Sequence, residues 1–315
     1  MRKTITALQA FLEKFISLIF RPIIYFSKKI VLPGFQGVPL YDVGLFFIRG
    51  IRKSSITLRA NALAFSVILS FVPGVLFLFT LIPYIPIPGL QEQIMESLKD
   101  ALPDEAFYFI RDTIEDIVTE QRGELLSISF LISLYFASNG MIDVMTAFNQ
   151  SSHAIETRNN FKKRLISIFL VLFLTLIMIL SAALTTFSGF ILDWLQEIGV
   201  IRDKLMVVLL HAGSWIILLM MLLTAFSTIY YLAPARRGSF PFFSAGSIFA
   251  TILTIIFFIL FGIYVDNSGA YNRFYGSLAT IFVILVWLSL LALVLLIGFE
   301  LNASIYSAHR RKKTT

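Results

Sequence analysis

The chain has no cysteine, only three histidines, and few charges: Asp, Glu, Lys and Arg make up 14% of 315 residues. Without cysteine there is no disulfide, thiolate metal site or cysteine nucleophile. His153, His211 and His309 are far apart, and no H-x-H, H-E-x-x-H, glycine-rich phosphate loop or nucleophile elbow occurs. A metal-dependent nuclease needs clustered His and Asp ligands, and an acid–base nuclease needs paired catalytic side chains in a wet site. The sequence therefore argues against a nuclease; a membrane-embedded enzyme would need a convergent catalytic pair, for which only Asp143 with Glu300 qualifies, so no enzyme activity, metal or cofactor is expected. The short alternating strands of an outer-membrane barrel are missing as well. No cleaved signal peptide is expected either, because Glu13, Lys14 and Arg21 interrupt the first apolar stretch and no small-residue cleavage site follows.

Apolar surface fills the space left by these absences. Hydrophobic residues make up 57% of the chain and the mean hydropathy is +0.84, outside the range of soluble domains. Six runs, at 61–83, 125–148, 165–190, 205–233, 241–265 and 275–302, are long enough to cross a hydrocarbon core roughly 30 Å thick at ~1.5 Å per residue. The expected fold is all-α, a polytopic bundle of six transmembrane helices. It divides into an amphipathic N-terminal part (1–58), the six-helix domain (59–305) and a short basic tail (306–315).

The basic residues give an orientation. The segment before the first span, the 149–164 and 234–240 loops and the tail hold 20 Lys and Arg, against 6 in the alternate loops. Cytoplasmic loops carry that excess, so both termini are expected in the cytosol of an inner membrane. The net charge of +7 is then a collar facing anionic lipid and no nucleic-acid footprint, since no basic soluble module exists to carry one. The expected partners are membrane lipids and a small-molecule, ion or lipid substrate, and no nucleic acid.

Two segments fall outside the spans. Residues 1–58 mix apolar and basic side chains and break at Pro33-Gly34 and Pro39, a pattern for helices lying in the membrane interface or packed under the bundle. The loop 84–124 holds ten of the nineteen acids. Ile110, Ile114, Ile117 and Val118 recur in it at helical spacing and Pro103-Asp104-Glu105 reads as a helix start, so a cap of two short amphipathic helices is expected, with the isoleucines turned inward.

Polar residues inside the spans are the candidate functional set. Tyr135, Asn139, Asp143, Thr146 and Gln150 fall on one face of the second span, with Asp143 roughly 27 Å along its axis from Leu125. Lipid offers such a stripe no partner, so it must face the bundle or a water-filled cavity. Ser244, Ser247, Thr251 and Thr254 form a softer stripe on the fifth span, read as small residues that let helices approach. Glu300 comes about 33 Å after Leu278, at the cytosolic boundary of the sixth span. Arg59, Asn61, Asp143, Gln150, Glu300 and Asn302 then share one depth, where a carboxylate can pair with Arg59, Lys162, Lys163 or Arg164. This spacing supports both a polar path that binds a ligand and a cluster that fastens helices together. It gives no catalytic pair of diagnostic spacing.

Several local patterns resemble the YihY/BrkB family of bacterial inner-membrane proteins, once labelled ribonuclease BN. They are Arg59-Ala60-Asn61-Ala62-Leu63-Ala64-Phe65 with Ser70 and Pro73, Ser138-Asn139-Gly140-Met141 through Asn149, Tyr231-Leu232-Ala233-Pro234, Tyr264-Val265, Tyr275-Gly276-Ser277-Leu278, Trp287 and Gly298-Phe299-Glu300-Leu301-Asn302. Their order and spacing over most of 45–305 are specific together. Ser289 stands where the family often has Tyr, and Phe299 where it often has Ala. The resemblance implies six inner-membrane spans with both ends inside, and it assigns no reaction.

Overall fold

In a computed structural model, the protein is described over residues 25–53, 55–86, 89–101, 104–151, 156–197, 204–235, 241–267 and 277–314. Among these the regular elements are helical, with no strand. We number them α1 (Leu40–Lys53), α2 (Ile56–Leu81), α3 (Leu90–Ala101), α4 (Asp104–Thr119), α5 (Gly123–Ser151), α6 (Asn160–Glu197), α7 (Lys204–Leu232), α8 (Ala245–Asn267) and α9 (Ser277–Thr314). A single 3-10 turn, Ile82–Tyr84, follows α2. The expected helix before Pro33 lies mostly in 1–24, outside the described residues; only 25–29 are seen, and they are helical.

Among the described residues six helices are long and apolar enough to cross a membrane, over Ile56–Tyr84, Gly123–Ser151, Asn160–Phe187, Leu210–Leu232, Ala245–Tyr264 and Val283–Lys313. These are the six runs read from the sequence. Between 11% and 28% of each apolar window is buried within the protein, so most of its Leu, Ile and Phe side chains need a non-aqueous solvent. The protein is an all-α, polytopic membrane protein.

Two compact units are present: residues 1–60, 145–157 and 176–315, and residues 61–144 and 158–175. In the first unit α9 packs along α8 and α1, and α7 packs on α8. α1 begins directly after Pro39, with Asp42 in its first turn to complement the helix dipole. The loop leading into it turns through Gly34, Gln36 and Gly37, all at positive φ. Phe35, Val38 and Val43 then bury against Ile305 and Ala308, far down α9, and the Lys312 ammonium donates to the Gly37 carbonyl at 3.1 Å. The C-terminal end of α9 is thus part of a small core, even though it carries the basic tail.

The second unit holds the cap. α3 and α4 pack on each other and on the 3-10 turn, with Phe107 and Val118 buried. Ile114 and Ile117 are half-buried, and the Ile110 side chain lies outside the described set. The Gln121 amide donates to the Pro83 carbonyl at 2.9 Å and ties the end of α4 back to the turn. Arg122 bridges Asp116 at 2.7 Å and Glu120 at 3.0 Å, and these carboxylates, Glu120 foremost, hold its guanidinium above the ordinary arginine range. On the α2–α5 side, the Thr80 and Ser129 hydroxyls pair at 3.1 Å and Phe77 tilts against Phe130 at 5.3 Å.

Candidate functional site

The first unit has an open-sided cavity of about 650 Å³. Its walls come from α1 (Phe46, Arg49, Gly50), the start of α2 (Ser55, Leu58, Arg59), the end of α5 (Gln150, Ser151) and α9 (Glu300, Ala303, Ser304, Ser307). Three of the residues expected at one depth, Arg59, Gln150 and Glu300, are therefore brought together. The others on the wall were not singled out by depth, although Ser304 and Ser307 follow Glu300 by four and seven residues. That spacing puts them on its face of α9 and could have pointed to them.

Arg59 is held by one nitrogen. Its Nη1 donates to the Ala147 carbonyl at 2.6 Å and to the Ser151 hydroxyl at 2.8 Å, near the C-terminal end of α5, where a cation complements the helix dipole. Nε and Nη2 are buried and have no hydrogen-bond partner among the described residues. An unsatisfied buried donor costs about 1–3 kcal/mol, more on a charged group, so a guanidinium in this state requires a compensating charge. Glu300, 4% exposed, is the carboxylate whose field acts on it. Gly50 faces Glu300 so closely that a methyl group there would collide with the carboxylate. With glycine there α1 approaches without displacing the carboxylate.

Asn302 has a different job. Its Oδ1 accepts from the Gly246 N–H and its Nδ2 donates to the Ser244 hydroxyl, both at 2.8 Å. Ser244 caps α8: its Oγ accepts from the Ser247 N–H at 3.1 Å, and the Ser247 Oγ accepts from the Ser244 N–H at 3.0 Å. This is a reciprocal capping box, and Asn302 satisfies one further amide of the first turn. The hydroxyls of Thr251 and Thr254 donate back to the Ser247 and Ala250 carbonyls. The stripe on the fifth span is consumed locally. The close approach of helices beside it is made by glycines: the Gly246 backbone lies against Gly298, and Gly298 against Ala250 and the Tyr230 hydroxyl. Beside this crossing Phe299 stacks on Phe148 with ring centroids 4.0 Å apart, and Tyr230 packs edgewise on both while donating to the Leu295 carbonyl at 2.8 Å. The Phe299 departure from the family pattern thus fills an aromatic core.

The α5 stripe divides between the units. Thr146 and Gln150 belong to the first, Tyr135, Asn139 and Asp143 to the second, as does the exposed Asn61. In the second unit the Asp143 carboxylate accepts from the Ser66 hydroxyl at 2.6 Å, where α2 runs close to Gly140 of α5. Arg164 donates through Nη1 to the Asn139 Oδ1 at 2.8 Å and to the Ser138 hydroxyl at 2.6 Å, and its guanidinium lies 5.0 Å from the centre of the Tyr135 ring. Arg164 thus finds an amide, a hydroxyl and a ring on α5. The Ser66 partner of Asp143 was legible as a polar residue of the first span but not as its contact. Among the described residues no three His, Asp or Glu side chains converge as metal ligands would.

A six-span helical membrane protein with a polar, partly charged cavity in one unit is the class this fold and site define. The model of the family described as Virulence factor BrkB matches residues 47–315, and the chain belongs to that family. It is 30% identical over 261 residues to a putative ribonuclease-like protein, YfkH, of Bacillus subtilis strain 168, covering 81% of this chain and 90% of the relative. It is 25% identical over 290 residues to a UPF0761 membrane protein of Psychromonas ingrahamii, covering 89% and 92%, and 24% identical over 268 residues to one from Mannheimia succiniciproducens, covering 82% and 87%. No solved structure matches.

Proposed function

We propose that this is a non-enzymatic transporter or lipid-handling protein of the bacterial inner membrane, both termini in the cytosol, whose substrate is engaged in the cavity bounded by Arg59, Gln150 and Glu300. The observation that carries the reading is the cavity itself. Its 650 Å³ lies within the 300–1,000 Å³ of small-molecule sites, and two arginines and a nearly buried carboxylate share its wall. Ionisable side chains near membrane depth are costly and usually mark a substrate or ion path. Two of them on facing elements, with a glycine kept opposite one, make a simple helix fastening the poorer account.

A scaffolding role is the second reading. It is supported by the Asn302 clasp, in which polar atoms of α9 are taken up by contacts with the start of α8. The two are separated by reconstituting the purified protein in liposomes and screening efflux of ions and movement of labelled lipids. Transport that falls at least tenfold in Glu300→Gln protein that still purifies as a folded, monodisperse species is the expected result, with some loss of melting temperature because Arg59 loses its compensating charge. Absence of any flux in the wild type across the screen would leave the scaffold.

A further inference from the structure

We infer that the cavity of the first unit recognises a singly charged oxyanion of the phosphodiester class, held by Arg59 with Arg49 at its rim. The inference rests on the substrate-site reading above and names the chemistry of what binds there.

The charges on the wall come first. Among its described residues Arg49 and Arg59 carry two positive charges and Glu300 one negative, leaving a single positive charge for a ligand to neutralise. A phosphodiester carries one negative charge near neutral pH, and its planar face of two oxygens matches the fork of a guanidinium. The donors come second. Arg59 uses Nη1 on Ala147 and Ser151, so its direction is fixed by α5, while Nε and Nη2, the pair that forms a bidentate fork, have no protein acceptor among the described residues. Arg49 is exposed and the hydroxyls of Ser55, Ser304 and Ser307 share the wall, adding donors for a headgroup beyond the phosphate. The space comes third. The cavity is far larger than an inorganic ion needs, which favours an organic phosphodiester with a polar substituent.

Glu300 gives the site selectivity. A carboxylate in the same wall repels a second negative charge, so a phosphomonoester or inorganic phosphate, both close to two charges at neutral pH, is disfavoured against a diester.

The ligand can come from a lipid headgroup or from a soluble diester, and the experiment separates them. The purified full chain in a non-ionic maltoside detergent is titrated calorimetrically with dihexanoyl phosphatidylglycerol, with glycerophosphoglycerol as its soluble headgroup, with dihexanoyl phosphatidylcholine, and with inorganic phosphate. We expect phosphatidylglycerol to bind at least about tenfold more tightly than inorganic phosphate or the zwitterionic lipid. Glycerophosphoglycerol binding equally well identifies a soluble substrate class, and binding confined to the lipid identifies a headgroup with its chains; either result supports the site. Arg59→Lys keeps the charge and removes the fork, and is expected to weaken the preferred ligand about tenfold or more. Arg49→Gln, at an exposed position that cannot disturb the fold, is expected to weaken it severalfold. Wild-type affinity in the well-folded Arg49→Gln protein together with Arg59→Lys would overturn the proposal, as would preference for inorganic phosphate or no anion binding by the wild type. Flux that persists while anion binding ignores both arginines sinks this inference and spares the transporter. Arginine-dependent binding without any flux does the reverse.

Discussion

Gly246 and Gly262 lie on the same helix, α8, and a methyl group at each meets opposite surroundings. At Gly246 it would strike the Gly298 carbonyl and the Asn302 amide, whereas at Gly262 nothing lies within 4 Å. Gly246→Ala should therefore lower the melting temperature in detergent by the equivalent of roughly 1–3 kcal/mol, the usual cost of overpacking. Gly262→Ala should leave it unchanged or raise it, by up to about 1 kcal/mol, through helix propensity alone. Equal effects of the two substitutions would mean that the α8–α9 crossing is looser than described. Asn302→Ala tests the same crossing from the other helix. It strips the Gly246 amide and the Ser244 hydroxyl of their partner at a buried position, and a loss of about 1–3 kcal/mol in thermal stability is expected, with no change in anion affinity. A fall in affinity comparable to that of Arg59→Lys would place Asn302 in the ligand site after all. Ser244 and Ser247 show why spacing misled in detail. A serine immediately before an apolar run is a cap signature, and helical spacing instead puts Ser244 on the face of a helix that it in fact precedes.

At the scale of elements, the helices of the first, second, third and sixth spans extend past their apolar runs at one end or both, while that of the fifth starts four residues late. The longest extension is that of α9 from 302 to Thr314, because no Gly or Pro interrupts Ala303 through Lys313 and its last turn carries Arg311, Lys312 and Lys313. Hydropathy marks where lipid must be met, but it does not mark where a helix stops. The extension is used: Ile305 and Ala308 close a core with Phe35, Val38 and Val43. Truncation after Ser304 should therefore release α1. Trypsin should then cut at Arg49 and Arg52 within minutes in detergent, while the full chain resists. Equal resistance would show that α1 is held by other contacts. The cap makes the complementary case. Its helices were legible from isoleucine spacing and a Pro-Asp-Glu start, whereas among the described side chains of the cap Phe107 and Val118 are buried, with Ile114 and Ile117 only half-covered. Val118→Asp should make α4 protease-sensitive; Ile117→Asp, half-exposed, should do so less.

The whole molecule poses the question of which side is which, and here sequence and structure carry different parts of the answer. Six spans are legible because roughly twenty apolar residues in a row have no other stable home, and the family match over 47–315 agrees with their extent. That Arg59 and Glu300 line one cavity was legible only as a coincidence of depth, since nothing in a linear chain reports that Gly50 brings α1 against Glu300. Orientation rests on charge alone. With 20 Lys and Arg in one set of loops and 6 in the other, the cost of moving the richer set across the membrane is the larger, so the set containing residues 155, 237 and 312 should remain inside. Reporter fusions at those three positions should be active only in the cytosol. Fusions after residues 100, 198 and 270 should be active only outside. This orientation also puts Arg59 and Glu300 at the cytosolic end of their helices, so the cavity would open to cytosolic ligand, and an impermeant thiol reagent should label an introduced Arg49→Cys from the inside only. An outside signal from the fusion at 155 would reverse the cavity, and any substrate would then have to be sought on the opposite face of the membrane.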